Sequence, residues 1–278
     1  MVREYHWQLQ VRSYEGDAWG LLPASGMMRY LEEAAVSAAR DVGYGRAFHD
    51  ERNSLWVIRR MALALHAPVH IGDCIDITTW ASHFERVRGG REYRVTNADD
   101  TLVASGLAEW VYLERKTLRP LAVPREVAVD FDLPGAPLGD YTPPSLSPVG
   151  QQFAFRAERV AEWHECDSLQ HINNSVYVDW LDDALRTGLA ELGWGVERLR
   201  ERDLQLRGEH LKLDYKRAAL PDHRLVISTT VQASEGRLVS VQQSIVSDEG
   251  AEVLTAHSVY GWQDSEGQPS QAPDILLA

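Results

Sequence analysis

The stretch NNSVYVDWLDDALRTGL, residues 173–189, contains the clearest structural signal in the sequence. Its apolar residues recur every three or four positions, which is the spacing of one face of an α-helix. Two asparagines and a serine precede them, and these residue types cap helix N-termini. The stretch therefore predicts an amphipathic helix whose apolar face packs against another element. The residues on that face are Val176, Tyr177, Trp180, Leu181, Ala184, Leu185 and Leu189.

The same pattern occurs 150 residues earlier in the chain. LEEA at 31–34 recurs as LDDA at 181–184, and VASG at 103–106 matches VLTA at 253–256. Separated segments that share one offset are difficult to obtain by chance. The sequence therefore predicts two copies of one supersecondary unit.

Each copy consists of one helix, predicted over 27–38 and over 176–189, followed by several strands. The strand segments are rich in β-branched and aromatic residues and are bounded by Gly, Asp and Asn. This order predicts an α+β unit in which the helix packs across an antiparallel sheet. The predicted strands are 5–11, 61–65, 75–80, 92–96 and 102–113 in the first copy, and 153–163, 211–215, 225–231, 238–246 and 253–262 in the second.

A proline-rich segment separates the two copies. Seven prolines lie between positions 120 and 148, a density that excludes a helix or a central strand. We therefore predict four regions along the chain. They are an N-terminal domain at 1–122, a linker at 123–151, a C-terminal domain at 152–262 and a loose tail at 263–278.

Composition and charge restrict the class of protein. Apolar residues make up 44% and charged residues 25% of the chain, which is typical of a globular protein. The net charge of −13 argues against nucleic acid as a partner, because phosphate binding requires a basic face. No stretch has the apolar length of a signal peptide or a membrane span. The two cysteines, Cys74 and Cys166, form no disulfide framework and no zinc spacing, which favours the cytoplasm.

The segment before the second helix contains the residues most suited to chemistry. A predicted strand ends near Asp167, a short loop with His171 follows, and the helix opens with Asn173 and Asn174. The loop thus brings one carboxylate, one imidazole and two amides to the positive end of a helix. These groups are suited to attack on an acyl carbon and to stabilisation of the resulting oxyanion.

The loop and helix together match a known pattern, Asp-x-x-x-His-x-Asn-Asn-x-x-Tyr-x-x-Trp. It resembles the plant-type acyl-acyl-carrier-protein thioesterases and, more broadly, hotdog-fold thioesterases of the 4-hydroxybenzoyl-CoA type. The resemblance spans residues 5–262, nearly the whole chain. The matching positions are Asp167, His171, Asn173, Asn174, Tyr177 and Trp180.

This resemblance implies two fused hotdog domains, each a long helix wrapped by a curved antiparallel sheet. It also implies hydrolysis of a fatty acyl thioester, with acyl carrier protein preferred over CoA as the carrier, and no metal or cofactor. Two positions depart from the plant-type pattern, because Leu169 replaces an asparagine and Ala218 replaces a glutamate. The remaining candidate is Asp167, as general base or nucleophile, with His171, Asn173 and Asn174 orienting the water or the loop.

Further residues are candidates for substrate binding. Met27, Met28 and Leu31 lie on the apolar face of the first helix and are possible lining for an acyl chain, although ordinary core packing is the simpler interpretation. Tyr177 is a possible substrate contact for which core packing is also the simpler interpretation. Asp17 is the counterpart of Asp167 and could be a second active carboxylate, but its loop lacks the histidine and both asparagines.

Other interpretations remain open from the sequence. A hotdog dehydratase of 3-hydroxyacyl thioesters would need a histidine and an acid from different copies, and a non-catalytic acyl-thioester-binding protein is a third possibility. The crowding of His164, Glu165, Cys166 and His171 does not suit a tetrahedral metal site. A fused pair of domains is compatible with a homodimer. Two clusters of cations could dock an acidic carrier protein, namely Arg86, Arg88, Arg91 and Arg94, and Lys212, Lys216 and Arg217.

Overall fold

The computed structural model describes residues 3–131 and 141–273. The chain separates into two compact units, with the boundary between residues 141 and 142 and with residues 23–25 grouped with the second unit. We call them the N-terminal unit and the C-terminal unit. Their boundary falls within the segment predicted as a linker, 123–151.

The N-terminal unit combines a long helix with five strands. Its elements are β1 (Tyr5–Gln10), α1 (Ala24–Asp41), α2 (Arg46–Glu51), β2 (Ser54–Leu65), β3 (Cys74–Glu85), β4 (Arg88–Asn97), β5 (Leu102–Glu114) and α3 (Arg125–Asp130). The strands form an antiparallel sheet in the order β1-β3-β4-β5-β2.

The C-terminal unit has the same plan. Its elements are β6 (Pro148–Val160), α4 (Val176–Glu191), α5 (Val196–Glu201), β7 (Gln205–Tyr215), β8 (Arg224–Glu235), β9 (Leu238–Ser247) and β10 (Glu252–Gln263). Its sheet has the order β6-β8-β9-β10-β7 and is also antiparallel. The predicted α+β architecture with a repeated unit is therefore confirmed.

Irregularities of the backbone repeat with the same offset. A β-bulge interrupts the pairing of β3 with β4 between Ala81 and His83, and the pairing of β8 with β9 between Val231 and Ala233. The glycine after each long helix adopts a left-handed conformation, with φ of 91° at Gly43 and 81° at Gly193. Glycine populates this region without a steric penalty, so it can end a helix there. The repeat is thus present in local geometry as well as in sequence.

The core of the C-terminal unit lies between α4 and its sheet. Trp180, Leu181 and Leu185 on the apolar face of α4 have at most 1% of their surface exposed. Leu185 packs with sheet residues that include Val241 and Trp262. Burial of each such side chain stabilises the fold by about 1.5–3 kcal/mol, which explains why the periodic stretch forms the central helix.

The proline-rich segment differs from its prediction, because helix α3 forms at Arg125–Asp130. Pro124 is the N-cap residue, and the helix itself contains no proline, so no helical hydrogen bond is lost. Val127 and Phe131 pack against Tyr44 and bury an apolar face of α3. Residues 132–140 of the predicted linker lie outside the described residues.

The first strand of the second copy also ends earlier than predicted. Strand β6 stops at Val160 rather than at residue 163, and Trp163–Glu165 forms a 3₁₀ turn. A capping box explains this change of direction, because the side chains and backbone N–H groups of Glu162 and Glu165 bond reciprocally. Several other strands extend beyond their predicted limits at one or both ends.

The described part of the predicted tail is bonded to the C-terminal sheet. The Ser270 N–H donates to the Trp262 carbonyl at 3.0 Å, and the Ala272 N–H donates to the Gly236 carbonyl at 3.2 Å. Ala272 is 3% exposed and belongs to the apolar core. Residues 274–278 lie outside the described residues. Among the described helices, none has both the length and the hydropathy needed to cross a membrane.

Candidate functional site

A closed loop in the C-terminal unit presents Asp167. The Asn173 N–H donates to the Glu165 carbonyl at 3.0 Å, and Cys166 forms an isolated β-bridge with Ile172. Inside this base, the Asp167 N–H donates to the His171 carbonyl at 2.9 Å. Gln170 takes a left-handed conformation at φ 63°, which turns the chain back. Asp167 and His171 are therefore paired across a narrow loop through their backbones.

The carboxylate of Asp167 is half-buried and takes part in the turn. Its Oδ1 accepts a hydrogen bond from the Leu169 N–H at 2.7 Å. An Asp side chain that accepts from the backbone two residues further on stabilises a tight turn. The bond fixes the side chain relative to the loop, and the acid is thereby held at one orientation.

The segment after β7 lies against this loop. The Ile172 N–H donates to the Ala219 carbonyl at 3.0 Å, and the Ala219 N–H donates to the Tyr177 hydroxyl at 2.8 Å. The neighbouring Ala218 is exposed. The position at which the plant-type pattern has a glutamate is thus close to the loop in space, but it contributes no acid here.

The two asparagines serve the start of helix α4. Oδ1 of Asn173 accepts from the Ser175 N–H at 2.9 Å and from the Ser175 hydroxyl at 2.6 Å. The carbonyl of Asn174 accepts from the Tyr215 hydroxyl at 2.9 Å. The N-cap residue of α4 is Ser175, whose side chain makes no capping hydrogen bond, so Asn173 closes a turn just before the helix rather than capping it as predicted.

Tyr177 connects helix α4 to the Ala219 segment that lies against the loop. It is 2% exposed, and burial raises the pKa of its hydroxyl to about 12, with the negative charge of Asp167 adding to the increase. Its ring lies 5.1 Å from that of Trp180 and 5.7 Å from that of Tyr215. The hydroxyl therefore stays protonated at neutral pH within an aromatic cluster.

The N-terminal unit contains the same turn without the same functional groups. Oδ1 of Asp17 accepts from the N–H groups of Trp19 at 2.8 Å and Leu21 at 3.0 Å. Gly20 takes the left-handed position at φ 77°. Leu21, the counterpart of His171, is 5% exposed. The Asp17 loop is therefore a structural copy that has no imidazole.

The structure places the proposed acyl-chain contacts of helix α1 within the N-terminal core. Met27, Met28 and Leu31 are 2%, 4% and 1% exposed. Their burial agrees with core packing, and contact with a substrate stays a prediction.

Glu165 lies beside the candidate site, although the sequence analysis did not include it among the site residues. Its side chain is 6% exposed and accepts three hydrogen bonds. Burial would raise its pKa, but bonds from the Glu162 N–H, Trp180 and Arg159 outweigh burial and hold the pKa of Glu165 below its usual value. The two glutamates at 162 and 165 have the spacing of a capping box, and this spacing is the sequence signal that could have identified Glu165 as a structural residue of the loop.

A surface cavity of about 450 Å³ lies in the C-terminal unit beside these residues. Several of its apolar lining residues, such as Trp180 and Leu189, also belong to the buried core. Its lining includes Arg159, Trp180, Asp183, Leu189, Trp194 and Ile227. Within the described ranges, no three His, Cys, Asp or Glu residues are placed to hold a metal ion.

The first of the two cationic clusters is not a continuous exposed surface. Arg91 is only 8% exposed; its guanidinium donates to the Thr79 hydroxyl at 3.3 Å and lies 5.3 Å from the centre of the Phe131 ring. Burial lowers the pKa of this guanidinium. In the second cluster Lys216 is paired with Asp214, and Arg217 is exposed.

Comparison with known proteins shows similarity to thioesterases in both parts of the chain. Residues 3–131 match the family model of the acyl-ACP thioesterase N-terminal domain, and residues 161–278 match the model of the thioesterase-like superfamily. Each match covers less than half of the chain, and the two matches are to different models.

Individual relatives show the same similarity. The chain is 24% identical to a chloroplastic palmitoyl-acyl carrier protein thioesterase of Gossypium hirsutum, over 96% of this chain and 66% of that protein. Another such enzyme, from Arabidopsis thaliana, is 24% identical over 72% of this chain and 50% of its own length. The chain therefore spans about half to two thirds of the length of these curated relatives.

A solved structure shares the fold. The 12:0-ACP thioesterase from Umbellularia californica superposes with a TM-score of 0.73 and 21% identity, covering 94% of this chain and 97% of that one. The double hotdog architecture expected from the sequence is thereby confirmed.

Proposed function

We propose that this protein hydrolyses fatty acyl thioesters and prefers acyl carrier protein over CoA as the carrier of the acyl group. The observation that supports the proposal is the loop that holds Asp167 and His171 beside the N-terminus of α4. Similarity of residues 3–131 to the acyl-ACP thioesterase N-terminal domain favours carrier protein as the substrate carrier. A location in the cytoplasm, a homodimer and acyl contacts at Met27, Met28, Leu31 and Asp17 stay predictions.

The proposed reaction adds water across the carbon–sulfur bond. Asp167 acts either as a general base, taking a proton from water, or as a nucleophile, forming an anhydride that water then cleaves. In both routes an oxygen bonds to the acyl carbon, the carbon–sulfur bond breaks, and the thiolate leaves and takes up a proton. The positive end of α4 stabilises the developing oxyanion.

The residues around Asp167 support this reaction by orientation. The backbone of His171 pairs with that of Asp167 across the loop, and in this proposal its imidazole positions the attacking water. Asn173 holds the start of α4 through its bonds to Ser175, and Asn174 is fixed through Tyr215. Tyr177 keeps the Ala219 segment against the loop. None of these roles requires a metal or cofactor.

The test is release of free thiol from acyl carrier protein and CoA thioesters by the wild type and by Asp167→Asn. The asparagine retains an oxygen that can accept from the Leu169 N–H, so the turn persists while the charge is removed. We expect kcat to fall by about 100-fold to 10,000-fold, the usual contribution of a general base. An unchanged rate of thiol release would contradict the proposal.

Asp17→Asn is the informative comparison, because it makes the same change in the copied turn. Loss of turnover in that variant alone would transfer the chemistry to the N-terminal unit. Conversion of 3-hydroxyacyl thioesters without thiol release would instead identify a dehydratase. Binding of the thioester without any reaction would identify an acyl-binding protein.

A further inference from the structure

We infer that Glu165 is the positioning residue of the Asp167 loop and that it sets the rate of turnover rather than the affinity for substrate. This inference rests on the proposed function, in which Asp167 performs the chemistry. Glu165 itself is directed into the protein and is not expected to contact the substrate.

The carboxylate of Glu165 joins three parts of the C-terminal unit. Its Oε1 accepts from Nη2 of Arg159 on β6 at 2.5 Å and from Nε1 of Trp180 on α4 at 2.8 Å. Its Oε2 accepts from the Glu162 N–H at 2.8 Å. The guanidinium of Arg159 also lies 5.1 Å from the centre of the Trp180 ring. We call this arrangement the Glu165 cluster.

The cluster fixes the base of the catalytic loop. The backbone carbonyl of Glu165 accepts from the Asn173 N–H at 3.0 Å, so both ends of the loop meet at this residue. Asp167 follows two positions later. Trp180 is fully buried and gives the cluster a rigid partner on α4. A shift of the Glu165 side chain therefore moves the loop base relative to the helix N-terminus that holds the oxyanion.

The N-terminal unit contains a copy of this arrangement at the same offset of 150 residues. Oε2 of Glu15 accepts from the Arg12 N–H at 2.9 Å and from the Tyr30 hydroxyl. Glu15, Arg12 and Tyr30 correspond to Glu165, Glu162 and Trp180. The copied Glu15 cluster supports the Asp17 loop, which lacks the histidine, and so it provides a matched control for the structural contribution of the cluster.

The geometry separates positioning from direct catalysis. All three donors of the Glu165 cluster approach the carboxylate from within the C-terminal unit, and the side chain is almost fully covered. The guanidinium of Arg159 balances the negative charge of Glu165, which lies two positions before Asp167 in the chain. A glutamine at this position has one acceptor oxygen where the native side chain has two, and its amide group would face a donor.

The experiment compares Glu165→Gln with Glu15→Gln by thermal unfolding and by steady-state thiol release. We expect both variants to lower the melting temperature, and Glu165→Gln to lower it more, because Leu9 stands where Arg159 donates in the second copy and the Glu15 side chain is 20% rather than 6% exposed. Glu165→Gln should lower kcat by about 10-fold to 100-fold, the range expected when a reacting group is displaced by about 1 Å, with KM within about twofold of wild type. Glu15→Gln should retain the kcat of the wild type.

A double variant tests whether Glu165 acts through Asp167. In the Asp167→Asn background, Glu165→Gln should cause no further fall in kcat, because residues that act as a unit are not additive. Two independent, multiplying losses would overturn the inference. Should Glu165→Gln fail to fold, Trp180→Phe is the alternative variant, because it keeps an aromatic ring but removes the Nε1 donor to Glu165. We expect this variant to lower kcat with KM unchanged. A wild-type kcat in Trp180→Phe would also overturn the inference.

The outcomes distinguish this inference from the proposed function. Thiol release that survives Asp167→Asn overturns the proposed function and the positioning role together. Release that is lost in Asp167→Asn but retained in Glu165→Gln overturns the positioning role alone. An equal loss of kcat in Glu15→Gln would also overturn it, because the effect would then follow general stability.

Discussion

Two aspartates at equivalent positions have the same local structure but different neighbouring side chains. Asp17 and Asp167 both accept from the backbone two residues further on and both close a left-handed turn. Only the second turn contains a histidine, since Leu21 occupies the corresponding position in the first. Formation of the turn therefore does not by itself mark an aspartate as catalytic. The difference lies in the side chains that the turn brings beside the acid.

The depressed pKa of Glu165 predicts a specific dependence of stability on pH. A carboxyl whose pKa is lower in the folded chain stabilises the fold above its unfolded value of about 4.3, and this contribution is lost as the pH falls through the folded value. We expect the free energy of unfolding of wild type to decrease more steeply below about pH 4.3 than that of Glu165→Gln. Urea unfolding at a series of pH values measures this, and parallel curves would show that the cluster contributes nothing.

Tyr177→Phe tests the bond between helix α4 and the segment after β7. The change removes the acceptor of the buried Ala219 N–H, and an unsatisfied buried donor costs about 1–3 kcal/mol. We expect a loss of unfolding free energy in that range, measured by denaturant titration. Tyr14→Phe is the control, because Tyr14 is 74% exposed and should change stability by less than about 0.5 kcal/mol. Equal effects of the two changes would contradict the assignment.

At the level of elements, the repeat determines more than the order of helix and strands. Bulges, helix-ending glycines and acid-bearing turns recur at the same offset, so each copy encodes its own detailed geometry. The helix in the linker was not predicted, because the density of prolines there masked the nine-residue proline-free stretch 125–133, in which the six-residue helix forms. Its formation depends on burial of Val127 and Phe131, which local sequence does not report.

Gly188→Ala tests the packing of α4 on β6. An added Cβ would lie 2.3 Å from the ring of Phe155, well inside the normal contact distance. Overpacking of this kind costs about 1–3 kcal/mol, while alanine recovers about 1 kcal/mol of helix propensity. We expect a net loss of stability of up to about 2 kcal/mol in chemical unfolding.

The control for this prediction is Gly195→Ala. Its added Cβ would lie 3.6 Å from the Cβ of Ala190, an ordinary contact, and its φ of −73° suits alanine. Gly195 is the N-cap of α5, where alanine is less favourable than glycine, and this opposes the entropic gain from alanine, so stability should change by less than about 1 kcal/mol. A stabilised Gly188→Ala variant would mean that Phe155 moves away at little cost.

At the level of the whole molecule, charge is the dominant feature. The chain has a net charge of −13, and carrier proteins are also acidic, so the proposed association with such a carrier would depend on local cations. Arg91 is unsuitable because it is buried, whereas Arg217 is exposed close to the Ala219 segment that contacts the Asp167 loop. For the proposed acidic carrier, docking through Arg217 and its neighbours is therefore the favoured geometry.

This geometry predicts a salt dependence of turnover. At about 0.1 M salt the screening length is about 10 Å, so charges farther apart than this interact weakly. Further salt shortens the screening length and weakens the close contacts between docked charges as well. We expect kcat/KM for acyl carrier protein thioesters to fall as salt rises above this level, and to fall less for Arg217→Gln. The corresponding CoA thioesters serve as the control. A flat response with both substrates would exclude docking through this cluster.

The sequence by itself determined the repeat, the two central helices, most of the strands and the loop with Asp167 and His171. These features depend on periodicity and on residues close together in the chain, which local physics links directly. The tertiary structure decided the contacts of Glu165 with Trp180 and of Tyr177 with Ala219, which join residues 15 and 42 positions apart. It also decided that Arg91 is buried. Such pairings arise only when packed elements bring distant side chains together, so no local pattern specifies them.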